Sequence, residues 1–354
     1  MAKKKPSQKD LFEASGPTHL TYVNWNCPHH RRSVMASLVQ GVYVMERDRQ
    51  WNRYGHDARA PAWWRSFHFE MRQALFDAAD SSIFGAVYAF QPPYHLFDGA
   101  AAASAPHYVV AFRGTVTKKA SASRDLALDL QLVRNGLDRT SRFHAAMETI
   151  NGVVAAVAAT GQHYHRVWLA GHSLGSAIST LAGKAMARAG VILPTFLFNA
   201  PFPSAPVEKI GDARVRNGIR IANSFVTAGV AAVLQSHGGG GGDAFAALAR
   251  WVPEVFVNPG DHISCEYVGY FDHRRTMEEI GAGGVGRLAT RNSVKDLLLG
   301  IGNGVGGSCE PPLHLFPSAV LTVNRGASPD FKTAHGIHQW WRPDLPLECR
   351  AYYY

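Results

Sequence analysis

The sequence predicts an α/β protein with a mostly parallel central sheet and helices on both faces. Two observations carry that reading. Strand-like runs alternate with helical patterns along most of the chain, the pattern of a sheet built from crossover units. Several of those runs (VWLA, FLF, VFV) are almost continuously apolar, as strands buried on both faces must be. A third observation concerns one junction. The run Val167–Ala170 leads directly into Gly171-His172-Ser173-Leu174-Gly175 and then into a helical pattern.

In chain order, the pattern predicts a helix over Arg32–Asp48 and strands at Ser82–Phe90 and His107–Phe112. A helix near Arg142–Ala158 and a strand His165–Ala170 follow. The helix Ser176–Ala189 is closed by Gly190, a natural residue for the position just past a helix end. Strands at Thr195–Asn199 and Glu254–Asn258 come next, then helical segments near Arg275–Leu299 and a last strand at Ser318–Asn324. At 354 residues with 46% hydrophobic side chains, the chain fits one large domain over 13–354. A basic tail over 1–12 is expected to be solvated. Residues Ile221–Leu248 hold two apolar stretches around five consecutive glycines, Gly238–Gly242. They read as a helix pair on a flexible loop, or as a cap insertion over an apolar site.

The formal charge of +9 comes partly from the N-terminal lysines. It suits anionic surfaces, so peripheral contact with a membrane surface is one expectation, while nothing calls for nucleic acid. Cys27, Cys265, Cys309 and Cys349 are scattered with no C-x-x-C pair, which reads as free thiols in a reducing compartment. Cys27-Pro28-His29-His30 is half of a metal-ligand pattern without a second half, so no metal is expected. No apolar h-region follows the N-terminus, so no secretory signal is expected. The longest strongly apolar run, Phe225–Leu234, is ten residues, too short for a bilayer. The expected location is cytoplasmic. Two G-x-G-x-x-G matches, at Gly281–Gly286 and Gly302–Gly307, follow helical rather than strand patterns, so no dinucleotide cofactor is inferred.

The strand–turn–helix junction at Ser173 has the makings of a nucleophile elbow. Glycines two before and two after the serine permit a turn tight enough to hold Oγ outside the sheet. The following helix N-terminus favours negative charge on a substrate oxygen. A serine needs a base and a group to orient that base. Asp261, at the tip of Asn258-Pro259-Gly260-Asp261 after a strand, is the candidate acid; Asp243 and Asp272 sit in less suitable segments. His335, on the loop after the last predicted strand, is the candidate base, with His338 one turn on as the alternative. His262 adjoins the acid, and His314 precedes the strand. Oxyanion donors are expected at the backbone of Leu174 and at Thr115, where an apolar strand ends in Arg113-Gly114-Thr115. Arg113 reads as structural, paired with a carboxylate such as Asp125 or Asp129.

The ordered set VVAFRGT (109–115), Arg124-Asp125 with Asp129, LAGHSLG (169–175), a late Asp and an Ala-His segment resembles the class 3, fungal lipase-like α/β-hydrolases. FGAVYAF (84–90), DLQLVRNG (129–136), NPGDHISCEYVGYF (258–271) and DFKTAHGIHQWWRPD (330–344) look like a plant esterase/lipase subgroup of that family. The resemblance covers nearly the whole chain after about residue 10. It implies an α/β-hydrolase fold, a Ser173–Asp261–His335 triad, an oxyanion hole at Thr115 and Leu174, and ester or acyl-lipid substrates. The chain departs from the family in having Ser176 for a second glycine after the elbow. It also has Arg142-Phe143-His144 for His-x-Gly-Phe and Asn199-Ala-Pro-Phe for Gly-x-Pro-Arg. These differences bear on the acyl pocket and its cover. The expectation is therefore a cofactor-free serine hydrolase of carboxylic esters, the rival being a silent lipase-like scaffold that binds a ligand or protein partner.

Overall fold

The computed structural model describes residues 12–13, 15–93, 104–115, 136–202, 242–280 and 316–354. The basic tail lies outside them except for Phe12, which is buried edge-on against Trp63 at 5.1 Å. Most of Ile221–Leu248, both glycine-rich motifs, Asp125, Asp129, Cys309 and His314 also fall outside.

Eight strands form one sheet in sequential order: β1 (Phe69–Phe76), β2 (Ile83–Phe90), β3 (Tyr108–Phe112), β4 (Val167–His172), β5 (Thr195–Phe198), β6 (Glu254–Val257), β7 (Ala319–Asn324) and β8 (Leu347–Tyr352). Strands β3 to β7 are parallel, while β1–β2, β2–β3 and β7–β8 pair antiparallel. This is the mostly parallel sheet of an α/β-hydrolase fold. Two strands lie beyond the predicted set, β1 and β8, so Ser318–Asn324 is not the last. Both are edge strands, with Glu70 and Arg72 exposed on β1 and a half-buried Glu348 and exposed Arg350 on β8, the usual defence of a sheet edge.

Side-chain alternation along the parallel strands divides the core into two layers. Val109, Ala111, Trp168, Ala170, Phe196 and Phe198 pack beneath α1 (Pro28–Gln50). Val110, Phe112, Val167 and Leu169 face α2 (Ser141–Ala159) and α3 (Leu174–Arg188). Pro28 opens α1 at its first turn, where its missing N–H costs nothing. Thr140 caps α2 by accepting from Phe143 N–H. As predicted, α3 ends at Gly190, whose φ is 81°; Gly190 N–H bonds Ala187 C=O and Val191 N–H bonds Met186 C=O.

Helical segments are expected near Arg275–Leu299, of which residues 281–299 lie outside the described residues. A helix, α5 (Glu266–Glu279), begins ahead of that span and overlaps its start, after the short α4 (Gly242–Ala249). It buries Tyr267 and Phe271 against β6 and β7. Among the described residues, no helix is long and apolar enough to cross a membrane. The C-terminal ends of the five parallel strands share one edge, and every candidate site residue gathers there.

Candidate active site

Ser173 joins β4 to α3 with φ 54° and ψ −124°. A non-glycine residue holds this conformation only when its surroundings impose it. Here they do: Ser173 N–H bonds Phe198 C=O, and Ser173 C=O accepts from Ser176 and Ala177 N–H. A Cβ on Gly171 would run into the backbone of Gly175, and one on Gly175 into Phe112 C=O. Both glycines are needed for the turn to close. Ser173 is 2% exposed, and its Oγ has no hydrogen-bond partner among the described residues.

Ser176, which the sequence placed at the acyl pocket, lies beneath the elbow instead. It is fully buried, and its Oγ–H faces Gly171 C=O at 2.6 Å and Phe198 C=O at 2.9 Å. It ties β4 to β5. Ser176→Ala is expected to destabilise the fold by roughly 1–3 kcal/mol while KM for an ester stays within twofold. Thermal melts beside steady-state kinetics check both halves.

The loop after β3 passes directly over the nucleophile. A Cβ on Gly114 would meet Ser173 Cβ at 2.7 Å, so glycine alone lets the two segments touch. Arg113 is structural, as expected, but its described bonds run to backbone carbonyls: Nε to Ile83 and Nη1 to Gly114. Thr115, next along, is exposed. Leu174 opens α3, where the first N–H groups lack acceptors within the helix.

Asp261 is fully buried after β6. His335 ends a one-turn helix, α6 (Phe331–His335), capped by Asp330, and its Nδ1 lies 3.0 Å from Asp261 Oδ2. The same carboxylate accepts from Asn199 Nδ2 (2.7 Å), Ser264 Oγ (2.8 Å) and Ile263 N–H (3.0 Å). Burial alone would raise the Asp261 pKa; the His335 charge and these donors outweigh it and hold the carboxyl below its usual range. His338 is exposed and makes no hydrogen bond to Asp261. His262 stacks on Phe331 at 4.3 Å, and Phe331 stacks on His335 at 5.2 Å. Asp272 pairs with Arg275 and Arg350 at the surface.

Four buried amide side chains hold the base segment, and the sequence reading singled out none of them as functional. Asn199, Asn258 and Asn324 stand at the C-terminal ends of β5, β6 and β7. Asn199 donates to Ala334 C=O and accepts from Trp340 Nε1. Gln339 Oε1 accepts from Asn258 and Asn324, and its Nε2 donates to Ala334 C=O at 2.6 Å. Asn199 sits at φ 48°, a conformation asparagine tolerates better than most residues. The available signal was its place directly after an apolar strand, where the family has glycine.

No group of three His, Cys, Asp or Glu side chains suited to a metal exists among the described residues. Cys27, Cys265 and Cys349 form no disulfide among the described residues.

The profile of the family described as Lipase (class 3) matches residues 109–217, which include the loop after β3 and the strand–helix turn at Ser173. A GDSL esterase/lipase of Arabidopsis thaliana is 48% identical, spanning 98% of this chain and 99% of that protein. The tetrapeptide Gly-Asp-Ser-Leu does not occur in this chain; its candidate nucleophile lies in Gly-His-Ser-Leu-Gly. Among solved structures, carboxyl esterase 2 of the fungus Tuber melanosporum aligns at 16% identity over 62% of this chain and 76% of its own, with a TM-score of 0.31. Esterase Est22 aligns at 12% identity over 78% and 81%, also with a TM-score of 0.31. Likeness at that level carries no weight for substrate.

Proposed function

The chain belongs to the class 3 lipase-like family of carboxylic ester hydrolases, and from that premise we propose that Ser173, His335 and Asp261 form its catalytic triad, with acyl lipids as the substrate class. One observation carries the reading: a buried serine Oγ without a partner, held at positive φ between β4 and α3, on the sheet edge that also bears a buried His335–Asp261 pair.

In this mechanism Ser173 Oγ attacks the ester carbonyl carbon while His335 Nε2 takes its proton. Asp261 Oδ2 holds the Nδ1–H of His335, fixing the tautomer that leaves Nε2 free to accept, and stabilises the imidazolium that forms. The carbonyl oxygen gains negative charge and is met by the N–H groups of Thr115 and Leu174, the latter at the positive end of the α3 dipole. His335 returns its proton to the leaving alcohol, which leaves an acyl-serine. Water, activated by the same imidazole, attacks the acyl carbon, releasing the carboxylic acid and restoring Ser173. No step requires a metal or organic cofactor.

The lipid preference rests on the family and on the esterase/lipase relative. A chain-length series of p-nitrophenyl esters tests it. The expected result is kcat/KM rising from acetate to medium or long acyl chains, since each added methylene bound in an apolar site contributes about 0.8 kcal/mol. Turnover confined to acetate would remove the lipid assignment and leave a short-chain esterase.

A further inference from the structure

Three segments must keep their spacing for this chemistry: the loop 113–115, the elbow, and the segment that presents His335. A buried chain of polar groups joins all three. Gly114 N–H donates to Tyr43 Oη at 2.7 Å. Tyr43 Oη lies 2.8 Å from His172 Nδ1, and His172 Nε2 lies 2.7 Å from the backbone C=O of His335.

Proton counting assigns every role. A carbonyl can only accept, so His172 carries its proton on Nε2 and leaves Nδ1 as an acceptor. Tyr43 therefore donates its O–H to Nδ1, while its oxygen accepts from Gly114. Tyr43 is 7% exposed and His172 4%. Burial pushes the Tyr43 phenol up to about 12. Burial, with the neighbouring His335 adding to it, pushes His172 down to about 3. Both groups stay neutral through the physiological range, so the chain keeps a single arrangement.

We propose that Tyr43 and His172 are positioning residues for ester hydrolysis, which set the distance between the oxyanion loop and the base-bearing segment across Ser173. The proposal rests on the triad reading above. Tyr43 stands within the 23-residue α1, which packs across the sheet face opposite α3 and supplies a rigid reference. Its hydroxyl pins the amide immediately before Thr115, in a loop that already touches Ser173 Cβ. Any slack there moves the oxyanion donors relative to the nucleophile. His172, next to Ser173 in the chain, holds the His335 backbone from the other side. Its ring centroid is 4.9 Å from that of His335.

Two measurements test this. The first is ring-15N NMR of histidine-labelled full-length protein at pH 7, with His172 assigned by substitution. It is expected to find His172 neutral and protonated on Nε2. An Nδ1–H tautomer or an imidazolium would overturn the relay, and this readout needs neither turnover nor a folded variant of Tyr43.

The second is kinetics of Tyr43→Phe on p-nitrophenyl butyrate, well below its melting temperature. Removal of one oxygen is expected to lower kcat roughly tenfold, with KM within twofold, and to slow fluorophosphonate labelling of Ser173 equally. Adding His172→Gln is expected to bring little further loss, because the two residues act as one unit. Wild-type turnover matched by a folded Tyr43→Phe, or losses that multiply, would overturn the proposal alone. A wild type without Ser173-dependent turnover would instead bring down the triad reading, and the positioning role with it.

Discussion

Ser173→Ala is expected to lower kcat by a factor on the order of 10⁶ and to leave the fold at least as stable as before. The rate loss follows from removing the only atom that attacks the carbonyl; serine hydrolases stripped of the nucleophile keep a small residual acceleration from binding and oxyanion donors. The stability result follows from the structure. Ser173 Oγ is buried without a partner, so its removal loses no hydrogen bond and relieves an unmet polar group. Alanine meets the same strain at φ 54° that serine does. Fluorophosphonate labelling together with a thermal melt reads both quantities. Serine-dependent labelling that survives in Ser173→Ala would place the nucleophile elsewhere, and a wild type that does not label would favour a silent scaffold.

Asp261→Asn is expected to cost about 10⁴ in kcat and, unlike the serine change, to weaken the fold. The carboxylate receives four donors, from Asn199, Ser264, Ile263 and His335. An amide has one acceptor oxygen, and its NH₂ group would face donors, including the Nδ1–H of His335. The imidazole would then favour the other tautomer, with its proton on the nitrogen meant to accept from Ser173. Losing hydrogen bonds to a charged group costs about 1.5–3 kcal/mol each way it is counted. The pH dependence has a definite sign. The folded-state pKa of Asp261 lies below that of an ordinary aspartate, so its contribution is complete above the unfolded value and is lost as pH falls through the folded one. The gap in melting temperature between wild type and Asp261→Asn should therefore be widest near neutrality and narrow below about pH 4. A gap that widens with acid would show that the carboxylate is not held in its charged form.

Strands β2 to β7 were legible because burial on both faces leaves an uninterrupted apolar run. The edges β1 and β8, with Glu70, Arg72, Glu348 and Arg350 on their open sides, lacked that signature. The start of helix α5 is not legible in the sequence because Glu266-Tyr-Val-Gly-Tyr-Phe mixes aromatic residues with glycine, a composition that suits a strand or loop as well as a helix. Ser173, Asp261 and His335 stand out in the sequence as candidates because a triad on parallel strands would impose chain order as well as residue type.

The groups that hold the triad carry no such imprint. Asn199 and Asn258 after strands look like ordinary turn residues, and Tyr43 looks like one more apolar position on a buried helix face. Their roles arise only when segments far apart in sequence are folded together. Ser176 illustrates the converse: sequence identified the unusual residue, but only the direction of its side chain placed it under the elbow.

The amides closing β5, β6 and β7 have a consequence for timing. Gln339 and Trp340, which complete their hydrogen bonds, are translated well after the elbow. The contacts they make reach back as far as 141 residues, from Trp340 to Asn199, and such contacts form late because loop closure must precede them. If Ser173 and His335 act together as proposed, a nascent chain carries the serine long before its base is fixed, and ester cleavage is expected only once residues 331–341 have docked.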